Sequence, residues 1–162
     1  MFHDTLANQL RLVDLVLQRN LDGLTHEESL RQPEPGGNSI NWVLGHLVST
    51  QSGMQRTLGE NPVWDEERGR PYARGSNGTL SETDAVPLEV LRKDWKQALA
   101  SSIDGLSRLD SEKLGTPAPF SPTQNPDETV GSLLEAIVFH QAYHCGQTGV
   151  LRRLAGREGA IR

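Results

Sequence analysis

A chain of 162 residues with a formal net charge of −5 is long enough for one domain with its own core, and its interspersed charges offer neither a basic footprint for nucleic acid nor a cationic amphipathic face for lipid. The hydrophobic content of 35% is low but gathers in four periodic segments, which excludes a chain disordered throughout. The single cysteine, Cys145, excludes an intrachain disulfide and a thiolate zinc cage.

The first segment, from Phe2 to about Leu21, sets Leu6, Leu10, Val13, Leu17 and Leu21 or Leu24 against Asn8, Gln9, Arg11, Asp14, Gln18 and Arg19. That spacing predicts an amphipathic helix. With Asp4, Arg11 and Asp14 inside it, the segment reads as neither a signal peptide nor a membrane span, and we expect a soluble, cytoplasmic protein. Thr25 followed three residues later by Glu28 forms a capping box for a short turn, and the run from Gln32 through Pro35 to Asn38 is loop. Ser39 is suited to cap a second helix that carries Ile40, Val43, Leu44, Leu47, Met54 and Leu58 and ends at Gly59.

Residues 59–87 form the longest irregular stretch, rich in Gly, Pro and mixed charge. Connections of this length are functional covers or disordered segments, and Trp64 and Tyr72 favour some packing. A third helix is expected from about Leu88 to Leu109 through Leu91, Trp95, Leu99, Ile103 and Leu106. Pro117, Pro119, Pro122 and Pro126 mark a second loop, Thr129 opens the last helix, and Gly156 stops it. With no repeat, linker or alternating strand, residues 1–162 are expected to form a single all-α domain. The expected fold is a four-helix bundle, up-down-up-down, with a long connection between helices two and three.

The last helix carries the chemistry. Val130, Leu133, Ile137, then positions 140, 144 and 147, then Leu151 and Leu154 step by three and four, the seam a helix turns toward a bundle partner. His140, His144 and Gln147 interrupt that seam. Imidazoles four residues apart project from one face, close enough to share an ion. An unpaired polar group in the core costs roughly 2–7 kcal/mol, so either core partners or a metal must satisfy them. His3 and His26 default to solvent, and His46 sits mid-helix on the flank of an apolar stripe, where pattern alone favours a half-buried histidine bonded to a neighbour.

Two blocks, Asn38-Ser39-Ile40-Asn41-Trp42-Val43-Leu44-Gly45-His46-Leu47 and the stretch from His140-Gln141-Ala142-Tyr143-His144 to Leu154, together resemble the signature stretches of the DinB-like (YfiT-like) metal-dependent proteins. The resemblance spans nearly the whole chain. It implies that His46, His140 and His144 hold one divalent ion, and that the chemistry is of the thiol-dependent S-transferase or isomerase kind, using a low-molecular-weight thiol such as bacillithiol or mycothiol. Neutral imidazoles suit zinc, nickel, iron or copper rather than magnesium or calcium, and three protein ligands leave a position open for water or a substrate thiol. Thiolate, which a bound cation favours, is the nucleophile.

Around the ligands, Cys145 points about 100° away and is expected to pack rather than ligate, Gln147 to bond across the bundle or support a ligand, and Tyr143 to line a pocket or pack on helix three. Trp42 is expected in the core or as a pocket wall, and Gly45, Gly146 and Gly149 at close helix approaches. No general base stands out. Relatives imply a homodimer; a small-molecule substrate and no nucleic-acid or membrane partner are expected. The rival to the enzyme reading is a non-catalytic metal-binding or stress-response bundle.

Overall fold

Apolar residues at helical spacing form the helices that they predict. The computed structural model describes residues 2–34, 36–76, 78 and 80–161; Pro35 of the first loop and Asn77 and Thr79 of the long connection lie outside the described residues. Four long helices, α1 (Phe2–Leu21), α3 (Ile40–Leu58), α5 (Leu88–Arg108) and α6 (Val130–Leu154), are joined through the one-turn helices α2 (His26–Ser29) and α4 (Glu66–Gly69). Two 3-10 turns complete the set, at Arg70–Tyr72 and Ser111–Gly115, and the described residues contain no strand.

The ends are set by the residues expected to set them. Thr25 accepts from Glu28 N–H while the Glu28 carboxylate takes the Thr25 N–H, the reciprocal pair of a capping box. Ser39 caps α3 by accepting from Trp42 N–H, and Gly59 closes the same helix at φ 78°, the left-handed conformation that glycine adopts without strain. Thr129 caps α6 with Ser132 as its reciprocal partner.

Each long helix packs against two others: α3 against α5 and α6, and α1 against α6 and α5. Their directions differ from the expected alternation. Asn41 at the start of α3 donates to Val86 O just before α5, while Gly105 near the end of α5 lies against Leu58 and Glu60 at the end of α3. α3 and α5 therefore run parallel. So do α1 and α6, since Phe2 and Leu6 share a groove with Val138 and Phe139 while Asn20 reaches Cys145 O and Thr148 Oγ1 further along. α3 runs antiparallel to α6, so the order is up-down-down-up, a correction to up-down-up-down. The physical reason lies in the 59–87 connection. Neighbours that run parallel need a crossover spanning the bundle, about 28 Å for a 19-residue helix.

That crossover is anchored in the core by two aromatic rings. Trp64 and Tyr72 are each 1% exposed, as deep as any core leucine. The Trp64 indole donates to Asp94 Oδ2 at 2.8 Å and Arg68 meets the same oxygen at 2.7 Å, tying the connection to α5. Tyr72 donates its hydroxyl to Asn41 Oδ1 and accepts from Val86 N–H, tying it to the starts of α3 and α5 together.

Candidate metal centre

His46 is 8% exposed, on the side of α3 that faces α6 and the crossover. Its Nδ1 stands 2.7 Å from Tyr72 O. A carbonyl only accepts, so Nδ1 carries the proton and Nε2 keeps its lone pair. Trp42, one turn earlier, stacks on the ring at 4.8 Å between centroids and 13° between planes, and its indole donates to Ser76 Oγ. Gly45 makes this approach feasible: a Cβ there would stand 2.2 Å from Tyr72 Cδ1. The close approach expected at Gly45 is thus to a tyrosine from the connection. Gly149 makes only ordinary contact with Asn20, and nothing lies within 4 Å of a Cβ at Gly146.

His140 and His144 come from α6. His140 Nε2 is 3.1 Å from His46 Nε2, and one ring nitrogen from each of the three histidines lies within 4.8 Å of the others. The His144 Nδ1–H donates to Gln147 Oε1 at 3.0 Å, which leaves its Nε2 free. Gln147 therefore supports a candidate ligand, one of the two roles expected of it. Outer partners of this kind, a carbonyl and an amide oxygen, orient ligating histidines and fix their tautomer.

The donor set fits a divalent ion. Two nitrogens bound to one tetrahedral zinc at 2.0–2.1 Å stand about 3.3 Å apart, close to the observed separation of His46 and His140. Burial first, then the nearby charges of His144, His46 and Arg74, pushes His140 down to about 4. Burial also lowers His46 and His144, against the raising influence of Tyr72 O and Gln147 respectively. All three rings are therefore neutral at pH 7, the form that binds metal. Among the described residues the buried Nδ1 of His140 has no partner, so this ring lacks the outer support the other two have there.

The seam of α6 is the main correction. Past Ile137 the core side runs through Val138, Gln141, Cys145, Thr148 and Leu151, while Leu154 is 54% exposed. A straight helix of 3.6 residues per turn drifts about 20° per heptad from a 3.5 repeat, so a seam extrapolated from Val130 slides off the core. His140, His144 and Gln147 consequently sit half-buried on the shoulder of α6, where the two histidines face a cavity instead of the packed interior. Gln141 is fully buried and donates to Leu47 O and Gln51 Oε1, pinning α6 to α3 one residue beyond each facing histidine.

Cys145 is 3% exposed, sits near Val13 O, and burial pushes its thiol up to about 11; it packs as expected. Of the histidines assigned to solvent, His26 is half-buried and accepts from Leu88 N–H, capping α5, and His3 is half-buried with Nε2 inaccessible and without a protein partner.

The cavity over the cluster holds about 1060 Å³ between α3, α6 and the 59–87 and 116–129 segments. Tyr143 lines it, 67% exposed and edge-on to His144 at 5.1 Å, so it serves the pocket and does not pack on α5. Glu66, Arg56, Arg74 and Phe120 also line it. No helical period fixes the placement of Arg74 and Phe120, which lie in loops.

Fold and cluster together define a four-helix bundle with three neutral histidines able to share one divalent ion. The chain matches the profile of the DinB superfamily over residues 9–148 and belongs to that superfamily. Among solved structures it is similar to a conserved protein from Enterococcus faecalis, with a TM-score of 0.73 at 16% identity, covering 94% of this chain and 95% of that one. That likeness shows the fold. No curated protein matches.

The depressed histidines make stability depend on pH. Between the unfolded value of 6.5 and the folded value of about 4 for His140, the unfolded chain binds more protons, so their contribution is complete above 6.5 and is lost as pH falls. The metal-free protein should therefore melt at a lower temperature at pH 5 than at pH 7, and His140→Asn should flatten this slope. Parallel curves for the two proteins would contradict the assignment.

Proposed function

We propose that His46, His140 and His144 bind one divalent transition metal, zinc or nickel before iron, and that the protein uses it for S-transferase chemistry between a small thiol and a small electrophile. The observation that carries this reading is the set of three neutral imidazoles with ring nitrogens within 4.8 Å, two held by outer acceptors, at the floor of a cavity of about 1060 Å³. A divalent ion there would supply Lewis acidity that lowers the pKa of a thiol entering its open position.

The chain's own residues account for the rest. Tyr72 O and Gln147 Oε1 hold two rings with their lone pairs inward, so little reorganisation is needed on binding. Trp42 covers one face of His46 and keeps water from it. Glu66 lines the same cavity and, in this reading, would take a proton from an incoming thiol. Cys145, buried and with its thiol held protonated, is not the nucleophile, which leaves that role to an added small thiol. A reducing cytoplasm suits such a cosubstrate.

A homodimer is part of the proposal. Leu12, Phe139, Val150 and Leu154 are each more than half exposed, and α1 and α6 frame an apolar groove of about 690 Å³ beneath Leu12 and Phe139. Apolar surface of this extent on a small domain favours association.

Protein purified from cells supplied with zinc and nickel should contain about one ion per chain. His140→Ala or His144→Ala should lose it while far-UV dichroism persists, and only the loaded protein should consume a small thiol with an electrophile such as chlorodinitrobenzene. Metal-free native protein would refute the metal reading; a full ion with no thiol turnover across several thiols would leave a non-catalytic metal-binding bundle. In sedimentation, the wild type should run as a dimer and Leu12→Asp/Phe139→Asp as a monomer, whereas a monomeric wild type would remove the dimer.

A further inference from the structure

The cavity over the histidines carries more information than its floor. Arg56 projects from α3 and Arg74 from the crossover, and both line it. Arg68, Arg108 and Arg157 each meet a carboxylate in this structure. Arg56 and Arg74 instead meet carbonyl oxygens, Trp64 O and Pro122 O, each at a long 3.4 Å. A guanidinium has five donors arranged to take a carboxylate bidentately, so both side chains keep most of that capacity unused.

The charge balance points the same way. Glu66 is the only carboxylate among the lining residues, against two guanidiniums, and the three imidazoles are neutral. The lining is therefore net positive before any ion enters. Part of its remaining lining is aromatic and accessible: Phe120 and Tyr143 are 49% and 67% exposed, while Trp42, stacked on His46, is itself buried. A site with a few convergent polar groups and aromatic walls selects a ligand of matching shape and charge.

We propose that this cavity takes a small organic carboxylate with a flat apolar body, the carboxylate held by Arg56 and Arg74 and the body lying against Phe120 and Tyr143. The inference deepens the proposed function, since it makes the cavity the reaction chamber and names the class of molecule that enters it. A carboxylate on the arginines leaves the other end of the ligand free to face the histidines. Arg74 contributes from a segment that already touches Pro122 across the mouth, so ligand binding would engage both loops at once.

The test uses the metal-free full-length chain, so that a carboxylate cannot bind through an ion and the result does not depend on metal chemistry. Titration with 2-naphthoate and with the neutral 2-naphthamide, followed by calorimetry and by amide NMR shifts, should give saturable binding of the acid, at least about tenfold tighter than the amide, as expected for charge-assisted hydrogen bonds. Shifts should centre on Phe120 and Tyr143. Arg56→Ala/Arg74→Ala, with unchanged far-UV dichroism, should lose about tenfold for the acid and nothing for the amide. Equal affinity for acid and amide, an unchanged affinity in the double variant, shifts confined to the α1–α6 groove, or no saturable binding at millimolar concentration would each overturn the proposal. Metal content, measured separately, reports on the histidines alone, so either idea can fail without the other.

Discussion

The hydrogen bond from His46 Nδ1 to Tyr72 O, 2.7 Å long and buried, is the constraint on which the rest of this structure depends. It selects the tautomer that leaves Nε2 directed at His140, and it comes from the crossover, not from any of the four long helices. Several other features serve to keep Tyr72 in place. Its hydroxyl is fixed by Asn41 and Val86, its ring presses on Gly45 where no side chain could fit, and Trp64 packs beside it at 5.4 Å. A side chain at residue 45 would push away the group that orients the histidine one residue later.

Topology explains why the connection is available for this task. With α3 and α5 parallel, the chain must travel from Gly59 back to Leu88 along the outside of the bundle, past the edge where α3 meets α6. A tight turn would have sufficed for antiparallel neighbours and would have left the histidines open to water. Instead the crossover brings Trp64, Glu66, Tyr72 and Arg74 to the region of the site, and the 116–129 segment meets it from the far side through Pro122. The helices supply the ligand candidates and the support of His144, while the connections supply the support of His46 and part of the cavity wall.

This division also governs what could be read from the sequence. The helices, their caps at Thr25, Ser39, Gly59 and Thr129, and the candidate histidines follow from periodicity and motif, because backbone hydrogen bonding and core burial act over a few residues at a time. Direction within the bundle did not follow, since an amphipathic stripe looks the same whichever way its neighbour runs. The α6 seam was misplaced past Ile137 because a strict heptad and a straight helix part company over 25 residues, which hid Gln141 in the core and moved the histidines to the shoulder. Tyr72 and Arg74 acquire their roles through contacts between segments distant in sequence, and loops carry no period from which such contacts could be deduced. Their one visible signal was composition: two large aromatics, Trp64 and Tyr72, in a stretch otherwise polar.

The central proposal is chemical, that three imidazoles and no sulfur of this chain would hold one ion in thiol-free buffer. X-ray absorption at the metal edge of the zinc-loaded protein addresses it directly. The account predicts a first shell of nitrogen and oxygen at about 2.0–2.1 Å with outer-shell scattering from three imidazole rings. A shell containing sulfur at about 2.3 Å, or one without imidazole scattering, would contradict it.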